Sequence, residues 1–300
     1  MIRVEGLTKS YGPVRALADL SLEVRPGEVF GLLGPNGSGK TTTIRLLMGL
    51  LRPTAGRARV AGFDCWRQGL EVRRLVSYLP GELRLPGGMR GLGVLKFLAA
   101  LRGGAGLDRA VAIAEDVMGL DLRRKVRALS TGMKQKLALA MAFADPVDCL
   151  ILDEPTSALD PSARALVLAL VAEARTAGRT VVFSGHVLSE VEQVADRVAI
   201  MRRGRLMVVE DMHRRRQALR LVLARFPGAA PSAYPGELAL AVRERTGDVV
   251  LLEHRGAAAP LLAWLGGQGV VDVAIGTDDI KSLYDRYHGP DAEPAEADPG

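Results

Sequence analysis

The sequence predicts an α/β fold: a domain on a parallel sheet, interrupted by a helical insertion and followed by a small α+β accessory domain. Three observations carry this expectation. Short, nearly continuous apolar runs at Val29–Leu33, Cys149–Leu152 and residues 180–183 read as strands buried on both faces. A helical stretch at about residues 161–177 separates the last two, and buried strands alternating with helices make a parallel sheet. Between about residues 83 and 145 the apolar positions fall instead at helical spacing: Val94, Leu95, Leu98 and Leu101, then Val111, Ala114, Val117 and Met118, then Met133, Leu137, Ala140, Met141 and Ala144.

At the N-terminus Ile2 and Val4, then Leu20, Leu22 and Val24, alternate with polar residues and fit half-buried strands. The main domain is expected over residues 1–210. Over 211–288 strand-like segments at 219–223, 238–242 and 249–252, a helix near 260–265 and a last helix begun by Thr277-Asp278-Asp279 predict the accessory domain. Residues 289–300, rich in Pro and acids and without a large apolar side chain, are expected to be disordered.

The 300 residues allow about two domains, and the 48% hydrophobic and 25% charged composition excludes an intrinsically disordered chain. No apolar run approaches the roughly 18 residues a membrane span needs, and the N-terminus lacks a secretory pattern, so a cytoplasmic chain is expected. Cys65 and Cys149 have no partner at metal-ligand spacing, so neither a disulfide nor a metal site is expected of them. The net charge of +6 is spread along the chain and reads as solvated arginine rather than a nucleic-acid footprint.

Gly34-Pro35-Asn36-Gly37-Ser38-Gly39-Lys40-Thr41-Thr42 fits the phosphate-loop pattern G-x-x-x-x-G-K-[ST], between the buried strand and a helical stretch at residues 42–51. Its glycines let backbone N–H groups converge on phosphate oxygens, Lys40 reaches the β- and γ-phosphates, and the Thr41 hydroxyl is a ligand for Mg²⁺. A nucleoside triphosphate is the expected ligand. The run Cys149–Leu152 ends in Asp153-Glu154-Pro155, at the strand end where open α/β sheets bind ligands. Asp153 would hold Mg²⁺, and Glu154 would polarise the water that attacks the γ-phosphate. His186 follows the next buried strand and falls at the same sheet edge, within reach of the γ-phosphate or that water.

With these residues in place, the sequence resembles the ATP-binding cassette (ABC) ATPases, the motor subunits of ABC transporters, over residues 1 to about 210. The discriminating match is Leu129-Ser130-Thr131-Gly132-Met133-Lys134-Gln135-Lys136, which looks like the family's signature loop. Ser130 caps the helix that follows, so its hydroxyl, the Gly132 amide and the helix N-terminus form an anion site. The resemblance implies an N-terminal antiparallel β subdomain, a P-loop NTPase core and ATP with Mg²⁺. It also implies a dimer, a homodimer in the simplest case, in which this signature meets the nucleotide of a second copy.

Ser157-Ala158-Leu159-Asp160 resembles the family's interface-crossing loop, placing Asp160 near that nucleotide, and Ser184-Gly185-His186 resembles its switch histidine. Tyr11 matches the aromatic on which adenine stacks, although a hydrophobic turn explains it equally well. One departure stands out. Gly81, in Ser77-Tyr78-Leu79-Pro80-Gly81-Glu82, occupies the position of a glutamine that contacts Mg²⁺ in most members, and Glu82 is a candidate substitute ligand.

These features look most like the branch of drug- and antibiotic-efflux exporters with a separately encoded permease, which implies a location peripheral on the inner face of the cell membrane. A soluble ABC ATPase acting on nucleic acid or the ribosome is the alternative, suggested by His213-Arg214-Arg215-Arg216. A single cassette and the lack of an aromatic platform near that run weigh against it. A nucleotide-binding regulator without turnover is suggested only by Gly81 and opposed by intact Lys40, Asp153, Glu154 and His186.

Overall fold

A computed structural model describes residues 1–212, 220–256 and 258–277. The basic run at 213–216, the Asp278-Asp279 start of the expected last helix and the 289–300 tail lie outside the described residues. Contacts divide the chain into two units, Met1–Val209 and Glu210–Gly300.

The first unit opens with β1 (Ile2–Tyr11) and β2 (Val14–Val24), then β3 (Val29–Leu33), α1 (Lys40–Leu47), β4 (Ala55–Val60), β5 (Phe63–Asp64), α2 (Gly69–Leu75) and β6 (Val76–Leu79). Next come α3 (Gly91–Ala100), α4 (Leu107–Ala112), α5 (Thr131–Ala144), β7 (Cys149–Leu152), α6 (Pro161–Thr176), β8 (Thr180–Gly185), α7 (Leu188–Val194), β9 (Arg197–Arg202) and β10 (Arg205–Asp211). An antiparallel sheet of order β2-β1-β4-β5 stands beside a second sheet of order β10-β9-β3-β8-β7-β6.

In that second sheet β3 pairs in parallel with β8 and β9, and β7 with β6 and β8. All five residues of β3 and all four of β7 are buried, as the continuous apolar runs require. One core joins both sheets: Ile2, Val4 and Leu20 from the antiparallel sheet, Phe30 and Leu32 from β3, and Ile44, Leu46 and Leu47 from α1. Burying each such leucine or isoleucine contributes about 1.5–3 kcal/mol, and the core thereby holds α1, the helix that follows the phosphate loop, in place.

Helix α1 begins at Lys40 and ends at Leu47, earlier at both ends than the 42–51 stretch expected from sequence. Gly49 takes φ +65°, a left-handed conformation that stops the helix, and Leu50 is left exposed. Between β6 and β7 the chain is helical apart from its turns: α4 passes directly into a π-turn over Ile113–Val117, and Met118 N–H donates to Ile113 O. That turn offsets a stripe which the spacing had read as one helix.

The second unit contains β11 (Arg220–Arg225), β12 (Leu240–Thr246), β13 (Val249–His254), α8 (Ala258–Gly267) and β14 (Asp272–Thr277). The strands form an antiparallel sheet of order β12-β13-β11-β14. Val222, Ala224, Val250 and Leu252 of the sheet pack with Leu261 and Leu265 of α8. Thr277, read from sequence as the start of a helix, is the last residue of β14. It pairs with Arg220, so the alternation of Val273 and Ile275 with Ala274 and Gly276 had marked a strand.

Candidate functional site

Parallel register brings the ends of four strands to one edge. Leu33 lies beside Gly185, Leu152 beside Phe183, and Leu79 beside Leu152. The next residues along β3, β8, β7 and β6 are therefore the phosphate loop, His186, Asp153 with Glu154, and Pro80 with Gly81. Residues 36–42, Ala16 and Glu154 line a cleft of about 200 Å³ there.

Gly39 closes the loop at φ +104°, a conformation L-residues avoid, and α1 starts at the next residue. Lys40 is buried, and its Nζ donates to Gly34 O at 2.7 Å and to Pro35 O at 3.2 Å. Burial holds the Lys40 ammonium below the usual 10.5, while Glu154 and Asp153 draw it back up. Ser38 Oγ is buried without a hydrogen-bond partner. A polyphosphate supplies further negative charge for a buried ammonium whose ion-pair partner, Glu154, is 3.8 Å away, and an acceptor for the hydroxyl, so the cleft fits one.

The two carboxylates at the end of β7 have different surroundings. Asp153 is 1% exposed, and its Oδ1 accepts from Ser184 Oγ at 2.6 Å and from Thr41 Oγ1 at 3.3 Å. A hydroxyl and a carboxylate oxygen this close are the hard ligands a Mg²⁺ ion takes. Glu154 is less buried and takes φ +48°, which costs a non-glycine residue about 1–3 kcal/mol and is characteristic of functional turns. The backbone N–H of Glu154 donates to Ser184 Oγ at 2.9 Å. Its carboxylate lies between Lys40 Nζ at 3.8 Å and Nδ1 of exposed His186 at 3.7 Å.

The remaining candidates are elsewhere. Tyr11, at the end of β1, is 46% exposed with Lys9 Nζ 4.9 Å from its ring centroid, and it does not line the cleft. Ser130 caps α5 by accepting the Met133 N–H at 3.2 Å, and neither Ser130 nor Gly132 lines the cleft. Gly132 packs so closely that a Cβ there would come 2.7 Å from Ala158 O. Asp160 caps α6, accepting from Ala163 N at 2.8 Å and Ser162 Oγ at 2.6 Å, and the Ser162 contact is the main cause of its lowered pKa.

Gly81 is the residue that faces Asp153: a Cβ there would lie 3.4 Å from Asp153 Oδ2. Glu82 is exposed, and no hydrogen bond or ion pair ties it to another described residue. The structure thus brings Lys40, Thr41, Asp153, Glu154 and His186 together and leaves Glu82 outside that group.

Ser184 joins the group without having been given a chemical role from sequence. Its meeting with Asp153 comes from the pairing of β8 with β7 and leaves no mark along the chain. Thr156, Arg164 and Glu190, which line a small cavity with Glu154 and His186, had no sequence signal and meet only through the fold.

Residues 17–157 match the family described as ABC transporter. The chain is 38% identical over 210 residues to a daunorubicin/doxorubicin resistance ATP-binding protein of Streptomyces peucetius, a match covering 69% of this chain and 64% of that protein. It thus spans somewhat under two thirds of the length of that relative. Against a bacitracin transport ATP-binding protein of Bacillus licheniformis it is 35% identical, covering 69% of this chain and 68% of the other. A solved ATP-binding subunit of an ABC transporter aligns with TM-score 0.66 at 28% identity, covering 72% of this chain and 92% of that one. A dimeric ATP-binding cassette in a post-hydrolysis state with ADP and Pi aligns with TM-score 0.65 at 23% identity, covering 71% and 99%, and shares the fold.

Proposed function

This chain belongs to the ABC transporter ATP-binding family, and on that premise we propose that it binds and hydrolyses ATP to power export through a separately encoded membrane permease. The observation that carries the reading is the position of Glu154, whose carboxylate stands between the phosphate-loop lysine at 3.8 Å and His186 at 3.7 Å.

In this reading residues 34–42 hold the phosphates through backbone N–H groups and the Lys40 ammonium. Thr41 and Asp153 would hold Mg²⁺, which would supply neutralisation of the phosphate charge. Glu154 orients the attacking water and accepts its proton, and His186 fixes that carboxylate or the γ-phosphate. Thr41 Oγ1 and Asp153 Oδ1 stand 3.3 Å apart, close enough to serve one ion.

Ser130 and Gly132 lie apart from the cleft of their own chain. That separation supports a dimer in which the signature loop of each copy closes over the nucleotide of the other. Closure with ATP and reopening after phosphate loss would shift the population between two states and drive the permease. The named drug- and antibiotic-resistance relatives support an exported cargo of that kind. No helix among the described residues is long and apolar enough to cross a membrane; the transport and resistance ATP-binding relatives support a place beside a permease at the inner face of the cell membrane.

The test pairs turnover with partner capture. Glu154→Gln should bind ATP with affinity near that of the wild type and lose at least about 100-fold in kcat, as loss of a general base does. Trapped with ATP, the variant should retain a polytopic membrane protein from detergent-solubilised native membranes. Hydrolysis at the wild-type rate would remove Glu154 from the mechanism, and capture of ribosomal or nuclease-sensitive partners alone would overturn the transport reading.

A further inference from the structure

Beside the Glu154–His186 pair lies a polar cluster that the chemistry above does not use. Glu190, on α7 four residues after His186, is buried, and each of its carboxylate oxygens has its own partner. Oε2 accepts from Thr156 Oγ1 at 2.5 Å, and Oε1 pairs with Arg164 Nη1 at 3.3 Å. Arg164 in turn donates from Nε to Leu159 O at 2.9 Å. These partners belong to different segments: Thr156 lies two residues after Glu154, Leu159 is in the loop against which Gly132 packs, and Arg164 is on α6.

We propose that Glu190 is a positioning residue that fastens the His186 turn to the segment 156–160, so that the Glu154–His186 geometry and the loop facing the signature are set together. The inference rests on the proposed ATPase reading and deepens it by naming what orients His186. The imidazole is exposed and approaches Glu154 at 3.7 Å, so its placement depends on the turn that carries it. That turn runs from β8 into a helix of seven residues, and Glu190 ties that helix to Thr156 and to Arg164 of α6. Charge-assisted bonds to both oxygens make the anchor directional, because a rotation that keeps one bond breaks the other. Catalysis is sensitive to such anchoring, since a misplacement of about 1 Å costs on the order of 100-fold.

The experiment uses the full chain and compares Glu190→Ala, Thr156→Val and the double variant with wild type. Expected is a fall in kcat of at least about tenfold for Glu190→Ala, with the KM for ATP within about threefold, since the cleft itself is untouched. Thr156→Val, close in shape and needing no refolding of the helix, should give a smaller kcat loss. The double variant should lose no more than Glu190→Ala alone, the non-additivity of groups acting through one contact. In NMR spectra the His186 ring signal, assigned with His186→Gln, should shift in Glu190→Ala.

Unchanged kcat with an unmoved His186 signal would overturn the inference, as would losses that add independently. Should the wild type turn over no ATP, the functional reading fails by itself and the His186 shift still decides whether Glu190 positions the turn. Should Glu190→Ala fail to fold, the Thr156→Val kinetics and spectrum decide instead.

Discussion

Ser184 Oγ lies 2.6 Å from Asp153 Oδ1 and at the same time accepts the Glu154 N–H at 2.9 Å, so one hydroxyl on β8 fixes the Asp153 carboxylate and the backbone of Glu154 at the end of β7. The donated bond keeps Asp153 an acceptor aimed toward Thr41, and the accepted bond stabilises the strained backbone of Glu154.

Ser184→Ala should therefore raise the Mg²⁺ concentration needed for half-maximal ATP turnover several-fold. It should also lower stability by about 1–3 kcal/mol, because a buried carboxylate oxygen and a backbone N–H each lose a partner. A magnesium titration and a thermal melt of the purified variant check both, and an unchanged titration would show that Asp153 needs no such support.

Gly132→Ala should leave ATP binding within about twofold of wild type and cut turnover at least about tenfold, on the scale of losing one oriented anion donor. The added Cβ would lie 2.7 Å from Ala158 O, a backbone atom with no side-chain freedom, so the signature loop or the segment 157–160 must shift. Equilibrium binding of a fluorescent ATP analogue with steady-state kinetics separates the two effects. Full activity would mean that this close packing has no part in turnover.

Lys40 gives a pH dependence whose sign follows from burial. Its pKa in the folded state is lowered below 10.5, mainly by desolvation, so the nucleotide-free fold binds fewer protons there than the unfolded chain does. Stability linked to Lys40 is thus fully present above the unfolded value and is lost as pH falls through the depressed folded one. Denaturant unfolding without nucleotide should show wild type gaining stability relative to Lys40→Met as pH rises through the alkaline range toward 10.5. A difference that stays flat with pH would rule out a buried-charge cost at this site.

Both cysteines should be silent toward thiol reagents in the native protein. Cys65 and Cys149 are free and buried, and desolvation pushes each thiol up to about 12, so at neutral pH almost none is thiolate. Titration with a chromogenic disulfide should read two thiols only after unfolding. A thiol that reacts at once in the native state would place one of them at the surface.

The sequence by itself determined the chemistry-bearing segments. The phosphate loop, the Asp153-Glu154 strand end, His186 and the Ser130 cap each depend on a local relation between neighbouring residues, so a pattern along the chain suffices to find them. The fully buried strands β3, β7 and β8 were legible for the same reason, because burial on both faces leaves nearly continuous apolar runs. The less buried strands β10 and β14 and the exact ends of α1 were not, since partial burial and a single left-handed glycine leave weak marks in composition.

Only the tertiary structure decided which residues meet. Parallel register sets Ser184 beside Asp153, places Gly81 rather than Glu82 against that carboxylate, and brings Thr156, Arg164 and Glu190 together across 34 residues of sequence. It also holds Ser130 and Gly132 away from the cleft of their own chain. Such contacts arise from how strands and helices pack in space, and a hydrogen bond between distant residues has no periodicity along the chain from which it could be read.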